Sequence, residues 1–181
     1  IKSRGLGDVY KRQPQGEMLS YVRMGDENYV YAIDGMIALG LGKTINDYRD
    51  KTILNVDKEL LSKIEFNYPD DRGFSIEKNT ENWTFQDGKV ADSASVHEYI
   101  NSLSRLRGKE FAENQPIAEQ KVAQLTITYD DLNIAEVILY MPDTSVAFLY
   151  SSQNPTNFFI DRDKKLKEKL FVSPDYFTGD K

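Results

Sequence analysis

The sequence predicts an α+β fold: an antiparallel β-sheet with one main amphipathic helix per unit, in a two-unit repeat whose first unit is truncated. Three observations predict this class. Short alternating strands outnumber helices, the helices are not interleaved one per strand, and one long apolar stripe has helical spacing. The 181 residues are 40% hydrophobic, which is sufficient for a packed core.

Turn residues divide the chain into short predicted strands. Residues 19–24 and 29–33 form a predicted hairpin around a Gly-Asp-Glu-Asn turn. We expect a short helix or loop over 35–42, an irregular stretch over 45–54, and one helical turn capped by Asp57. The other strands are predicted at 63–68, 74–78, 83–86, 123–129, 134–140, 145–150 and 157–160.

The clearest helix is predicted over 93–107. Asp92 is a favourable N-cap, and Gly108 is placed to end the helix in the left-handed region. The apolar stripe consists of Val96, Tyr99, Ile100, Leu103 and Leu106. A loop over 111–119 follows, and a second, shorter helix is predicted over 163–171.

A weak internal repeat suggests the domain organisation. The matching segments are 21–24 with 148–151, 30–34 with 157–161, and 47–48 with 175–176. Because these signals occur in the same order, we expect residues 14–54 to be the C-terminal part of a first repeat unit and residues 55–181 to be a second unit. A coincidence among common strand residues is the alternative.

Residues 1–13 are interpreted as a sequencing-adapter artefact. Residues 3–13 resemble a translated transposon adapter of the kind used for sequencing libraries, so we expect the natural chain to be interrupted before Pro14. A basic N-terminal arm is the alternative. This segment carries four basic residues and one acidic residue, so excluding it changes the formal charge from −6 to −9.

Composition excludes several classes of protein. The negative charge disfavours nucleic-acid binding, which depends on clustered Lys and Arg. With no cysteine there are no disulfides or thiolate sites, and with one histidine, His97, there is no two-histidine metal motif within the chain. No apolar run approaches the ~20 residues of a membrane helix.

No catalytic, cofactor-binding or metal site is predicted, although three patterns bear on the question. Residues 40–44 end in Gly-Lys-Thr, but Ile37 stands where a phosphate-binding loop needs its first glycine and no amphipathic helix follows. His97 is expected to be a surface or half-buried helix residue. Four acidic pairs are interpreted as turn residues, not as paired catalytic or calcium-binding carboxylates: Asp47/Asp50, Asp70/Asp71, Asp130/Asp131 and Asp161/Asp163.

Aromatic residues in the predicted strands are the strongest positive feature. They are Tyr29, Tyr31, Tyr150, Phe158 and Phe159. Sheet packing is one interpretation, and a binding platform for a peptide or a glycan is the other. Asn82-Trp83-Thr84 fits the N-glycosylation pattern, but we expect Trp83 to anchor the core.

The second predicted unit resembles an uncharacterised, often duplicated bacterial envelope domain family of unknown function. The resemblance rests on an Ile64-Glu-Phe strand, Glu77-Lys78, Trp83, an Ala91-Asp92 pair that opens a helix, and the link over 48–54. The second copy departs from that link, since it continues from Tyr176 as Tyr-Phe-Thr-Gly-Asp-Lys. The family is encoded beside ABC-2-type and gliding-motility-like exporter genes, and it implies a membrane-anchored, extracytoplasmic location.

These observations lead to three functional hypotheses. The resemblance implies a non-enzymatic envelope protein that is accessory to an ABC-type exporter through protein contacts. The aromatic strands suggest a glycan- or peptide-binding domain as the alternative. A hydrolase that uses turn carboxylates is a distant third. No cofactor is expected.

Overall fold

The computed structural model describes residues 19–23, 25–34, 43–69, 72–80, 82–129 and 133–179. The chain divides into two compact units, residues 1–49 and 50–181. In the first unit, β1 (Leu19–Val22) pairs antiparallel with β2 (Tyr31–Asp34), and α1 (Ile45–Tyr48) is a single helical turn. Between β1 and β2 the chain turns through Gly25, whose φ of +56° suits glycine.

The second unit is built on an eight-stranded antiparallel sheet with the order β6-β5-β4-β9-β10-β11-β12-β8. Its strands are β4 (Leu61–Asn67), β5 (Phe74–Lys78), β6 (Trp83–Phe85), β8 (Glu110–Phe111), β9 (Lys121–Tyr129), β10 (Asn133–Tyr140), β11 (Ala147–Ser151) and β12 (Phe158–Asp161). A separate two-stranded sheet pairs β3 (Thr52–Asn55) with β7 (Arg105–Arg107). The helices are α2 (Ser93–Leu103) and α3 (Lys165–Leu170), with 3-10 turns over Lys58–Leu60, Ala118–Gln120 and Pro174–Phe177.

One face of the large sheet forms the core. Alternate residues of its strands are buried there, and helix α2 and the two-stranded sheet supply the opposite layer. Tyr99 of α2 shows the packing: its ring lies 5.7 Å from Phe66 of β4 and 5.3 Å from Phe177, and its hydroxyl donates to the Leu170 carbonyl at 2.6 Å. Burial of large aromatic side chains of this kind accounts for much of the folding free energy.

Two polar side chains, the buried Asn154 and the half-buried Gln153, attach β3 to the end of β11. The Asn154 amide donates to the carbonyls of Asp50 and Thr52, at 2.8 and 3.2 Å. The Gln153 side-chain amide forms two hydrogen bonds with the backbone of Asn55, as a neighbouring strand would. It accepts from the Asn55 N–H at 2.7 Å and donates to the Asn55 carbonyl at 3.3 Å. These bonds give partners to backbone groups at the two ends of β3.

The predicted fold class is wrong. The described residues form a mostly β structure of twelve strands, and their three α-helices contain 4, 11 and 6 residues. The repeat with one main helix per unit is also wrong, because the described part of the first unit holds only the four-residue α1. Two stretches predicted as irregular or loop, 45–54 and 111–119, overlap the short strands β3 and β8, which are stabilised by distant partners and carry no periodic signal of their own.

The predicted end of the main helix is wrong as well. Helix α2 begins after Asp92, as predicted, with the Asp92 carboxylate accepting the Ser95 N–H at 2.8 Å, but it ends at Leu103. The chain then enters β7, where Leu106 is buried opposite Leu54. Gly108 is not among the glycines with positive φ. Its hydrogen instead leaves space for the Phe159 ring, which a Cβ would approach to 2.2 Å.

Within the described ranges, no helix has the length and apolar character needed to cross a membrane.

Candidate functional site

The outer face of the large sheet, opposite the core, is divided into a polar part and an apolar part. On β4 and β9 the outward side chains are polar, as with Glu65, Gln124 and Thr126, and Glu65 forms an ion pair with Lys63 at 3.1 Å. On β10, β11 and β12 they are mainly aromatic and aliphatic, although strand alternation places them on the same face. This unequal distribution marks the apolar part as the candidate site.

The apolar part consists of two side-chain rows that cross three strands, and we call these six residues the aromatic patch. They are Ile138, Tyr150 and Phe158 in one row, and Tyr140, Phe148 and Ile160 in the other. All six are partly exposed, whereas the residues between them on each strand, such as Leu149 and Phe159, are fully buried on the core face. The patch is therefore an accessible surface held by a rigid core.

The rings of the patch contact one another. Phe158 lies 5.5 Å from Tyr150 and 5.9 Å from Tyr140, and the second pair is close to perpendicular, at 65°. Such edge-to-face pairs stabilise a surface cluster beyond the area they bury. Burial raises the pKa of Tyr140, and a smaller contribution comes from Tyr150. The Tyr140 hydroxyl therefore stays protonated at neutral pH and can donate a hydrogen bond.

Charged and polar residues border the aromatic patch on both sides. On the β9 side, the Gln124 amide donates to Glu136 at 3.1 Å and accepts from Lys121 at 2.6 Å. On the β8 side, Arg162 donates to both oxygens of Glu110, at 2.8 and 3.3 Å. This bidentate contact holds the pKa of Glu110 below its usual value. The border is polar and the centre is apolar, as in many protein interfaces.

The structure brings together two of the five aromatic residues singled out from the sequence. Tyr150 and Phe158 are cross-strand neighbours in the patch. Phe159 is placed on the opposite face, where it is fully buried 5.3 Å from Phe111. Tyr29 and Tyr31 belong to the first unit and are 74% and 47% exposed.

Sequence reasoning missed the other four members of the patch. Ile138 and Tyr140 lie in a strand that is apolar at nearly every position, so alternation does not tell its outward side from its buried side. The turn between β10 and β11 is the signal that could have identified them. Pairing the two strands across this turn places Tyr140 opposite Phe148.

The Gly-Lys-Thr sequence acts as a helix start in the described residues. The N–H and the hydroxyl of Thr44 both contact the Asp47 carboxylate, at 2.6 and 3.0 Å, at the start of the four-residue α1. The Lys43 ammonium lies 5.5 Å from the centre of the Tyr48 ring. Residues 40–42 and the glycine-rich stretch before them lie outside the described residues.

The acidic candidates serve local structure where they are described. Asp50 accepts the N–H and hydroxyl of Thr52, which lowers its pKa. Asp161 is 2% exposed and accepts the Lys167 N–H at 2.7 Å, at the start of α3. The Asp163 side chain lies within hydrogen-bond reach of Asp161 and forms ion pairs with Lys109 and Lys165, both at 3.4 Å. Asp70, Asp71, Asp130 and Asp131 lie outside the described residues. Within the described part of the chain, no three His, Cys, Asp or Glu side chains converge as a metal site would require.

His97 and Trp83 lie where the sequence predicts them. His97 is an exposed residue of α2 whose Nδ1 is 2.9 Å from the Ser93 carbonyl oxygen, four residues earlier. Trp83 is 6% exposed and belongs to the core, while the neighbouring Asn82 is exposed.

Two open depressions flank Tyr68, with volumes of about 330 and 440 Å³. The Tyr68 hydroxyl donates to the Val172 carbonyl at 2.7 Å, and burial raises its pKa to about 12. It is therefore a structural donor, unsuited to proton transfer at neutral pH.

Comparison with known proteins identifies a family. Residues 9–127 match the model of a family described as a domain of unknown function, DUF4340. No curated protein and no solved structure matches the chain. The predicted resemblance to a domain of unknown function is confirmed, whereas the exporter gene neighbourhood stays a prediction.

Proposed function

We propose that this chain, which belongs to the DUF4340 family of domains of unknown function, is a non-catalytic domain that contacts a protein partner through its aromatic patch. The observation that carries this proposal is the partly exposed cluster of Tyr140, Tyr150 and Phe158, on a sheet face that is polar over β4 and β9 and apolar over β10–β12. Contiguous apolar surface with a polar rim is typical of interaction sites.

The described polar groups support a binding role over catalysis. The acidic residues Asp50 and Asp161 are occupied by backbone or side-chain donors, and His97 lies against its own helix. A hydrolase needs a nucleophile or a water-activating base beside an acid, within hydrogen-bond reach of one another. Among the described residues, Asp161 and Asp163 lie within hydrogen-bond reach of each other, but Asp161 is 2% exposed and accepts the Lys167 N–H, and Asp163 forms ion pairs with Lys109 and Lys165 at 3.4 Å. This pair therefore supports local structure better than it supports hydrolysis.

The family resemblance supplies the partner and location that we propose. It supports a protein that is accessory to an ABC-type exporter and that is membrane-anchored on the extracytoplasmic side. A glycan-binding role is the second candidate, favoured by the three neighbouring aromatic rings of the patch.

The test is co-purification of the full-length natural protein with the subunits of an ABC-type exporter, whose genes we expect beside its own. We compare Tyr150→Thr and Phe158→Thr, which keep a β-favouring residue, with Ile117→Thr, an equally apolar position that is 59% exposed outside the patch. Circular dichroism and thermal unfolding check that each variant is folded.

We expect an exporter subunit to be retained by the natural protein and by Ile117→Thr, and to be lost from both patch variants. Retention by all variants would contradict the role of the patch. If no exporter subunit co-purifies with the natural protein, the proposal that the partner is an exporter is contradicted. If the protein binds chitohexaose and this binding depends on Tyr150, the glycan-binding role is favoured.

A further inference from the structure

We propose that the aromatic patch receives a short apolar segment of its partner, about four to seven residues long, and not a second folded surface. This inference rests on the proposed function and specifies the part of the partner that makes contact. It follows from the size of the patch, the chemistry of its border and the presence of the Tyr140 ring within it.

The patch is too small for a stable interface between two folded surfaces. Strands lie ~4.8 Å apart and outward residues repeat every ~6.8 Å, so three strands with two outward residues each cover about 14 by 14 Å, or about 200 Å². Including the bordering positions on β9 and β8 widens this to about 24 by 14 Å, or about 340 Å². A stable interface between folded proteins buries about 800 Å² on each partner.

A short extended segment matches these dimensions. At about 3.3 Å per residue, a span of 14 to 24 Å holds four to seven residues. Its apolar side chains would lie on Tyr150, Phe158 and Ile160, and the Tyr140 hydroxyl, protonated at neutral pH, could donate to one of its carbonyls. The segment would therefore combine apolar side chains with an accessible backbone.

The charged residues at the border of the aromatic patch determine which side chains the centre of the segment can carry. Arg162 and Glu110 form an ion pair, and Lys121 and Glu136 each have a hydrogen bond with the neutral Gln124 amide, so the charged side chains of the border already have hydrogen-bond partners. A charge at the centre of the segment would lose hydration over the rings without gaining an opposite charge. The segment is thus uncharged at its centre.

The test is a titration of the 15N-labelled 181-residue chain with the blocked peptide acetyl-Gly-Leu-Phe-Leu-Phe-Gly-amide, followed by NMR. We expect shifts concentrated in β10, β11 and β12 and a dissociation constant between about 10 µM and 1 mM, as suits so small a contact. Loss of one ring, in Tyr150→Thr or Phe158→Thr, should weaken binding about fivefold or more. Ile117→Thr should leave it unchanged.

A peptide with Asp in place of the first Phe, the third of its six residues, should not bind. Binding as tight as that of the uncharged peptide would overturn the proposal. So would the absence of shifts at millimolar peptide, shifts outside the three strands, or self-association of the chain through the patch in sedimentation experiments. If the peptide does not bind but co-purification with the exporter still depends on Tyr150, the inference of a short segment fails and the proposed function stands. If neither depends on Tyr150, both fail.

Discussion

Gly108→Ala tests the contact that holds β12 in place beneath the aromatic patch. A Cβ at residue 108 would lie 2.2 Å from Cδ1 and 2.8 Å from Cε1 of Phe159. Ordinary carbon contacts lie near 3.5–4.0 Å, so the ring must move by more than 1 Å. Phe159 is fully buried and contacts the Phe111 ring at 5.3 Å, so it has no open space to move into.

The expected cost is about 2 kcal/mol of unfolding free energy. Overpacking in a core costs about 1–3 kcal/mol, and this contact is severe enough to favour the upper part of that range. Alanine also lowers the conformational entropy of the unfolded chain, which stabilises the folded protein by about 0.4–1 kcal/mol. The net effect remains destabilising because the clash with the Phe159 ring costs more than this entropy returns.

Urea unfolding monitored by the single tryptophan measures this cost. Trp83 is buried in the second unit, so its fluorescence reports the unfolding of the unit that contains both Gly108 and Phe159. A double-mutant cycle with Phe159→Val identifies the cause, because valine lacks Cδ1 and Cε1, the two ring atoms that lie nearest to the new Cβ. We expect the double variant to be more stable than additivity allows by about 1 kcal/mol or more.

Strict additivity of the two substitutions would refute this reasoning, as would a Gly108→Ala protein that is as stable as the natural one. Either result would mean that the space beside the Phe159 ring is not the reason for a glycine at position 108.

Two further predictions concern buried polar groups. Asn154→Ala removes the donor to the carbonyls of Asp50 and Thr52 and should lower the unfolding free energy by about 1–3 kcal/mol in urea unfolding; an unchanged value would show that water replaces the amide. Burial raises the pKa of Asp161 despite the Lys167 N–H, so the native state binds this proton more readily than the unfolded state. The stability of the natural protein relative to Asp161→Asn should therefore increase as pH falls from 7 through the native pKa of Asp161, and a constant or decreasing difference in urea unfolding would contradict this.

Local signals predicted the elements that depend on neighbouring residues. Asp92 and the Val96–Leu103 stripe predicted the start and the buried face of α2, because capping and helical spacing act within a few residues. Asp57 predicted its 3-10 turn for the same reason, since its carboxylate accepts the Glu59 N–H at 3.0 Å.

Elements that depend on distant residues were not predicted. β7 looked like the last turn of a helix because Leu106 continues the helical stripe, but pairing with β3, some fifty residues earlier, determines its structure. Gly108 looked like a helix cap, whereas its role depends on Phe159. Local periodicity carries no information about which distant segment a strand pairs with, or in which register.

The candidate site was predicted only in part, because its membership also depends on strand register. The sequence indicated that Tyr150 and Phe158 are unusual, but placing Phe159 with them ignored that adjacent residues of a strand point to opposite faces. Tyr140 and Phe148 entered the site only through the pairing of β10 with β11.

The most direct test of the aromatic patch is photo-crosslinking in cells that produce the full-length protein. A benzophenone amino acid replaces Tyr150 in the full-length protein, a matched variant carries it in place of Ile117, and the crosslinked peptides are identified by mass spectrometry. We predict that the label at 150 joins one short apolar segment of an exporter subunit and that the label at 117 does not. Equal crosslinking at both positions, or none at 150, would contradict the contact we propose.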